Sequence, residues 1–382
     1  MRFIYTRDLA SLQQKLLSTP LRFLLIPFSW LYAIGIRVRN QFYALGVFGV
    51  QTLPCTVISV GNITVGGTGK TPAVIAIAEH LQKAGLRVAI LLRGYKRKAR
   101  EGITVVSDGK QVYASAKESG DEAYMMAECL SGVPIIVGRE RYLAGQIALE
   151  RFNVDVLLLD DAFQHRQLGR DVDILTVPVT HPFGDPARLL PAGTLREPLS
   201  ALRRADIILL THADTPEISV RAKETVKRLA PDALVLESVH QPTCLYPLFR
   251  ENSGERQDVE GLKGKRLLAV CGIGNPDAFV GTLRRCAPAS VELLAFPDHH
   301  VYVGADAQRI DAAFRAAKAD LVVTTQKDAQ KLGSVMEHQG LQAVVLVVAL
   351  VITEGDEKLT KVLLANVGKS WNRKPQTANR KP

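Results

Sequence analysis

Residues 57–72, VISVGNITVGGTGKTP, hold the side chains best suited to bind a phosphate. Lys70 supplies a point charge and Thr71 a hydroxyl able to hold Mg²⁺. Thr64, Val65, Gly66, Gly67, Thr68 and Gly69 form a loop whose backbone N–H groups face an anion at a helix start. The usual spacing places glycine at position 64, where this chain has Thr64; the three loop glycines supply the flexibility instead. The chemistry expected of such a cradle is binding of a nucleotide phosphate. Asp160 and Asp161 close the apolar run VDVLLLDD. Acids at the C-terminal end of a strand in such a sheet face the phosphate loop, where Mg²⁺ takes hard oxygen ligands. Either aspartate can face the metal.

Further segments leave two readings open. Asp121 and Glu122 follow Gly120 at a helix start, where acids cap a helix. Asp298, His299 and His300 in FPDHHVY could help deprotonate a hydroxyl or form a surface turn. The loops QHRQLGRD and LPAGTLREP carry arginines that bind phosphate or cap strand ends. The element THAD (211–214) comes close to the Asn-Lys-x-Asp pattern that reads guanine, with His212 in the lysine's place. CGIGNP resembles half of a dinucleotide fingerprint and reads better as a tight strand-to-helix turn.

These groups need a scaffold, and apolar runs alternating with helical patterns predict a parallel α/β sheet. Strands are expected at 56–60, 87–92, 133–137, 154–159, 173–177 and 206–210, with helices at 71–84, 121–131 and 139–151. Residues 241–264, rich in Pro, Gly and charge, read as a linker. A second set follows: strand 266–271, helix 276–286, strand 291–296, helix 307–317 and strand 321–324. The expected division is a helical region 1–40, a phosphate-loop domain 41–240, the linker, a second α/β domain 265–366, and a basic, disordered tail 367–382.

The chain has 382 residues and a net charge of +10, partly concentrated at its ends. Arg2, Arg7, Lys15 and Arg22 precede an apolar stretch (21–36), Arg37 and Arg39 follow it, and a basic run closes the chain. No aromatic-basic motif, zinc finger or reading helix accompanies this charge, which argues against nucleic acid and for an anionic membrane surface or substrate. Five scattered cysteines without a CxxC pair fit a reducing compartment. The apolar stretch is shorter than the about 20 residues of a bilayer span. With flanking arginines and Phe23, Phe28, Trp30 and Tyr32, it reads as a helix lying in the membrane interface, ahead of a core helix or a span.

Taken in order, GNITVGGTGKTP, LLRGY, SGDEA, LLDDAFQHRQLGRD, LLPAGTLREPLSAL, FPDHHVY and TTQKDAQKL resemble the motifs of the tetraacyldisaccharide 4′-kinase family of lipid A biosynthesis, over about residues 55 to 332. The resemblance implies transfer of the ATP γ-phosphate to the 4′-hydroxyl of a tetraacylated glucosamine disaccharide 1-phosphate, with Mg²⁺. It implies an α/β fold of two α/β/α domains joined by a β-strand linker. The larger would be P-loop NTPase-like with a mainly parallel sheet, and an N-terminal helix would associate with the membrane. Asp121 and His299 match the family's catalytic pair, Lys70 and Thr71 its phosphate and Mg²⁺ residues, and Asp160 and Asp161 its second magnesium motif. Arg139, Arg196 and Glu197 fall in segments that hold other active-site residues. The implied partners are a membrane-embedded lipid A precursor and an anionic membrane surface, at the cytoplasmic face of the bacterial inner membrane. Two departures, Ala123 for proline and Ala162 for glycine, sit beside the acids. The competing readings are a regulatory or chaperone P-loop GTPase, from THAD, and a soluble small-molecule kinase whose N-terminal helix is core.

Overall fold

The computed structural model describes residues 19–94, 97, 102–249, 256–337 and 340–368. Arg2, Arg7, Lys15, Tyr95, residues 250–255 of the expected linker and the basic run 369–381 lie outside these. The chain forms two compact bodies, a larger one within Leu16–Val239 and Ile352–Pro382 and a smaller one within His240–Val351.

In the larger body a 3-10 turn, Pro20–Leu25, leads into α1 (Ile26–Ala44). The α/β series follows as β1 (Thr56–Gly61), α2 (Lys70–Lys83), β2 (Val88–Leu92), β3 (Ile103–Ser107), α3 (Ala116–Ser119) and α4 (Asp121–Cys129). It continues through β4 (Ile135–Gly138), α5 (Arg141–Arg151), β5 (Val156–Asp160), β6 (Val172–Pro178), β7 (Ile207–Thr211), α6 (Pro216–Leu229) and β8 (Leu234–Pro247), of which the part up to Val239 belongs to this body. The strands lie in the order β8-β7-β6-β1-β5-β2-β4-β3, parallel except for β3, which runs antiparallel to β4. Helices cover both faces because strand side chains alternate. Ala89, Leu91, Leu157 and Leu159 pack with Ala144 and Ala148 of α5. Ile90 and Leu158 are buried too, and point to the opposite face, where α2 buries Ala73, Val74, Ile77, Ala78 and Leu81. In α6, which opens with Pro216, the buried positions Ser219, Ala222 and Val226 recur at the three- and four-residue spacing of one helix face.

The smaller body repeats the scheme with β9 (Arg266–Cys271), α7 (Pro276–Arg284), β10 (Ser290–Ala295), α8 (Gly304–Ala316), β11 (Leu321–Thr325), α9 (Gln326–Met336) and β12 (Ala343–Glu354). Its parallel order is β10-β9-β11-β12. Leu267, Ala269 and Cys271 of β9 meet α7, whereas Leu268 and Val270 meet α8 and α9. Each body is therefore an α/β/α sandwich, as expected.

Two boundaries differ from the sequence reading. The stretch read as a linker from residue 241 begins as strand, since β8 continues to Pro247. The smaller body ends at Val351 rather than at residue 366, because the chain returns along β12 to the larger one. There α10 (Asp356–Asn366) is tied to the phosphate-loop helix: His80 on α2 shares a 2.7 Å hydrogen bond with Thr360 and lies 3.4 Å from Asp356. Thr56 of β1 also donates to the Asn366 carbonyl.

Candidate active site

β1 is buried along its whole length and delivers the chain to the phosphate loop beneath Phe163. A Cβ on Gly61 would lie 2.6 Å from that of Phe163, so only glycine fits this exit. A hydroxyl network floors the loop. Asn62 donates to Thr68 Oγ1 (2.9 Å), Thr68 Oγ1 and Thr176 Oγ1 are 2.8 Å apart, and Thr211 Oγ1 donates to the Thr68 carbonyl (3.0 Å). Gly66 and Gly69 take φ of +114° and +79°, where a side chain would be strained. Gly69 is the N-cap of α2 and makes no side-chain cap, so the first-turn N–H groups stay turned toward the loop for an anion. Thr64 needs no glycine: it forms an antiparallel bridge with Leu195, and the neighbouring Val65 N–H donates to the Thr194 carbonyl (2.8 Å).

The two aspartates stand in different surroundings. Asp160 ends β5 in register with Val60 of β1, and its side-chain Oδ1 is buried without a hydrogen-bond partner. Burial, then the charges of Glu122 and Asp161, push its carboxyl up to about 7, against the pull of Lys70 and Arg141. Asp161 adopts φ +47°, which turns it toward Arg196 Nη1, 3.0 Å from both of its oxygens, and Lys70 Nζ at 3.8 Å. Burial works to raise this carboxyl, and Lys70 and Arg196 outweigh it, so it titrates below the ordinary range. Ala162 is buried with φ outside the left-handed region, so it does not call for a glycine, and Ala123 is a buried position of α4.

Of the arginines at the start of α5, the structure brings in Arg141 and not Arg139, which is exposed. Arg141 is buried, donates to the Gly138 carbonyl (2.7 Å), and feels the charges of Asp160 and Asp161; burial brings its guanidinium down to about 10. Its signal in the sequence was helical phase. Position 141 faces inward with Ala144, Gly145 and Ala148, and 139 precedes the helix. His165 is held at about 4 by burial and by Arg141, Arg170 and Arg93, so its imidazole is neutral.

Asp121 opens α4 directly after Gly120, whose φ of +90° makes the turn between α3 and α4. Arg196 joins the acids, but Glu197 does not. Its carboxylate is fully buried against Arg204 (2.8 and 3.1 Å), Arg39 (3.6 Å) and Asn40 (3.4 Å). Arg204 also lies over the Phe163 ring. Together with Tyr32, which donates to the Arg196 carbonyl (2.9 Å), and Ser29, which donates to that of Leu189 (2.9 Å), this cluster docks α1 onto the loop that carries Arg196. Removing one member of a buried ion cluster strands the others. Glu197→Ala is therefore expected to cost about 3–5 kcal/mol, read as a lowered urea midpoint, and Glu197→Gln distinctly less.

His299 lies in the smaller body, so the expected Asp121–His299 pair is divided between the two bodies. In THAD, Thr211 is committed to the loop floor. CGIG is a strand-to-helix turn between β9 and α7, as read.

A family model described as tetraacyldisaccharide-1-P 4′-kinase (LpxK) matches residues 21–368. The chain belongs to the tetraacyldisaccharide 4′-kinase family. Among similar proteins, the tetraacyldisaccharide 4′-kinase of Syntrophus aciditrophicus is 42% identical over 85% of this chain and 88% of its own. That of Geobacter metallireducens is 42% identical over 81% of this chain and 88% of its own. Among solved structures, the apo-form LpxK of Aquifex aeolicus in complex with ATP is 33% identical, with a TM-score of 0.70 over 91% of this chain and 99% of that one. The kinase family thus accounts for the phosphate loop, and the GTPase reading of THAD is not favoured.

Proposed function

We propose that this chain transfers the γ-phosphate of ATP to the 4′-hydroxyl of a tetraacyldisaccharide 1-phosphate, the reaction of the lipid A 4′-kinases. The observation that carries this is the convergence of Lys70, Asp160, Asp161, Arg141 and Arg196 on a phosphate loop inside a chain of that family. Phosphoryl transfer asks a protein mainly for positioning and charge stabilisation. Lys70 and the α2 N–H groups neutralise and orient the phosphates. Arg196 and Lys70 keep Asp161 ionised beside them. Asp121 is the base that takes the 4′-hydroxyl proton, and His299 supports it.

Mg²⁺ fits the residues present. Thr71 follows Lys70 on α2, and the unpartnered buried Oδ1 of Asp160 is an oxygen in want of a cation or its water. Among the described residues no cluster of three or more His, Cys, Asp or Glu side chains gathers as a cage. That suits an ion that takes one or two carboxylates and completes its shell with phosphates and water. When bound, Mg²⁺ would neutralise charge developing on the phosphate oxygens.

On this reading the enzyme works at a membrane surface, because its acceptor carries acyl chains, and the face is the cytoplasmic one of the inner membrane. No helix among the described residues is long and apolar enough to cross one. Instead α1 exposes Phe28, Trp30, Leu31, Ile34 and Val38, preceded by Phe23 and Leu24, while its polar anchors hold the protein. Arg37 on the same helix suits anionic headgroups. The deciding assay is ATP-dependent 4′-phosphorylation of the disaccharide precursor in mixed micelles. Tight GTP binding without ATP use would overturn the kinase reading. Replacing Phe28, Trp30 and Leu31 together by serine is expected to weaken sedimentation with anionic vesicles by about tenfold or more. ATP affinity, measured in parallel, should hold.

A further inference from the structure

Three segments that the phosphate site does not use come together within the smaller body: the CGIG turn after β9, the FPDHHVY loop after β10 and the TTQKD start of α9. Gly272 is their junction. Its N–H donates to Asp328 Oδ2 (2.9 Å), and its carbonyl accepts from the His299 N–H (3.2 Å). Asp328 is fully buried, and its Oδ2 also accepts from Thr325 Oγ1 (2.7 Å). A Cβ on Gly272 would meet Asp328 Oδ1 at 3.1 Å, the Pro297 carbonyl at 3.1 Å and Tyr302 Oη at 3.3 Å, so the turn is closely walled. His299 is thereby held at φ +60°, an uncommon backbone for a residue with a side chain.

The next residue along α9 from Gln326 reaches the ring itself. Lys327 Nζ lies 2.9 Å from Asp298 Oδ1 and 3.4 Å from His299 Nε2. Asp298, the acid that the sequence sets beside His299, is 3.9 Å from the same ring nitrogen, beyond hydrogen-bond reach. The ammonium stands at both. Burial works to raise the Asp298 carboxyl, but Lys327, hydrogen-bonded to it, outweighs this and holds it low, so Asp298 is ionised and anchors the ammonium. An ammonium has donors only, so toward it Nε2 can serve only as acceptor.

We propose that Lys327 is a positioning residue for His299, fixing the neutral imidazole in the tautomer that carries its proton on Nδ1. The Nδ1–H is then the ring's donor, while Asp328 and Gly272 hold the backbone that carries it. This rests on the reading that His299 serves phosphoryl transfer. A carboxylate base is oriented by such a donor without losing its own proton-accepting capacity.

Nitrogen NMR of the full chain labelled in histidine tests it, with the His299 signals identified by their loss in His299→Asn. The expected wild-type spectrum has a protonated Nδ1 and an unprotonated Nε2; a protonated Nε2 overturns the proposal without any variant. Lys327→Met should shift the ring toward the other tautomer and lower kcat by about 10–100-fold, the range in which residues that orient a functional histidine act. ATP affinity should stay within about twofold, and Lys327→Arg should recover part of kcat. An unchanged tautomer and kcat in Lys327→Met overturns the inference. Full kcat in His299→Asn would instead overturn the role of His299 itself, whatever the tautomer.

Discussion

Asp121→Ala is expected to lower turnover by about 10²–10⁴-fold, the contribution of a positioned general base, while ATP still binds. A sugar hydroxyl is a poor nucleophile near neutral pH, and Asp121 supplies a carboxylate on the first turn of α4, after a glycine turn that fixes its direction. The competing role for an acid there is helix capping. Asp121→Asn separates the two. Asparagine still interacts with a helix start but cannot accept the proton, so a base predicts the same loss as alanine and a cap predicts near-normal turnover. Calorimetric titration with ATP alongside steady-state kinetics reads both halves. Retained turnover in either variant would remove Asp121 from the chemistry.

Lys70→Ala should act on the donor side, lowering kcat by about 10²–10³-fold and weakening nucleotide binding. Lys70 opens α2 at the end of the loop, lies 3.8 Å from Asp161, and also works against the upward push on Asp160. Folding should hardly change. Asp161 keeps Arg196 at 3.0 Å, and a partly exposed ion pair such as Lys70–Asp161 is worth about 0–1 kcal/mol. A Tm near that of the wild type with lost ATP use is the expected pattern. A large drop in Tm would mean that Lys70 holds the loop together rather than the nucleotide.

Much of the larger body was legible because its strands are short apolar runs separated by turn residues. β1, the loop and α2 could be read from composition and glycine placement alone. β12 could not: AVVLVVALVITE is a continuous apolar run without punctuation, which periodicity does not distinguish from buried helix. β8 was not expected at all, and its second half was read as linker because Gln241, Pro242 and Thr243 look like one. The site was legible where side chains meet through adjacent strand ends, as Asp160 and Asp161 do. It was illegible where helical phase decides. Exposed Arg139 precedes α5 and buried Arg141 opens it, and only the packed helix tells them apart. Glu197 misled for another reason: sequence proximity to Arg196 said nothing of Arg204 and Arg39, which claim its carboxylate.

The return of the chain through β12 to α10 bears on how the protein is made. The smaller body is an insertion, so a ribosome completes all of His240–Val351 before it delivers the helix whose Thr360 meets His80 on α2. Until then the earliest-synthesised part of the domain lacks its last piece. A nascent chain stalled before residue 352 would leave the nucleotide-binding half unfinished, even though every residue of its phosphate loop had long since emerged.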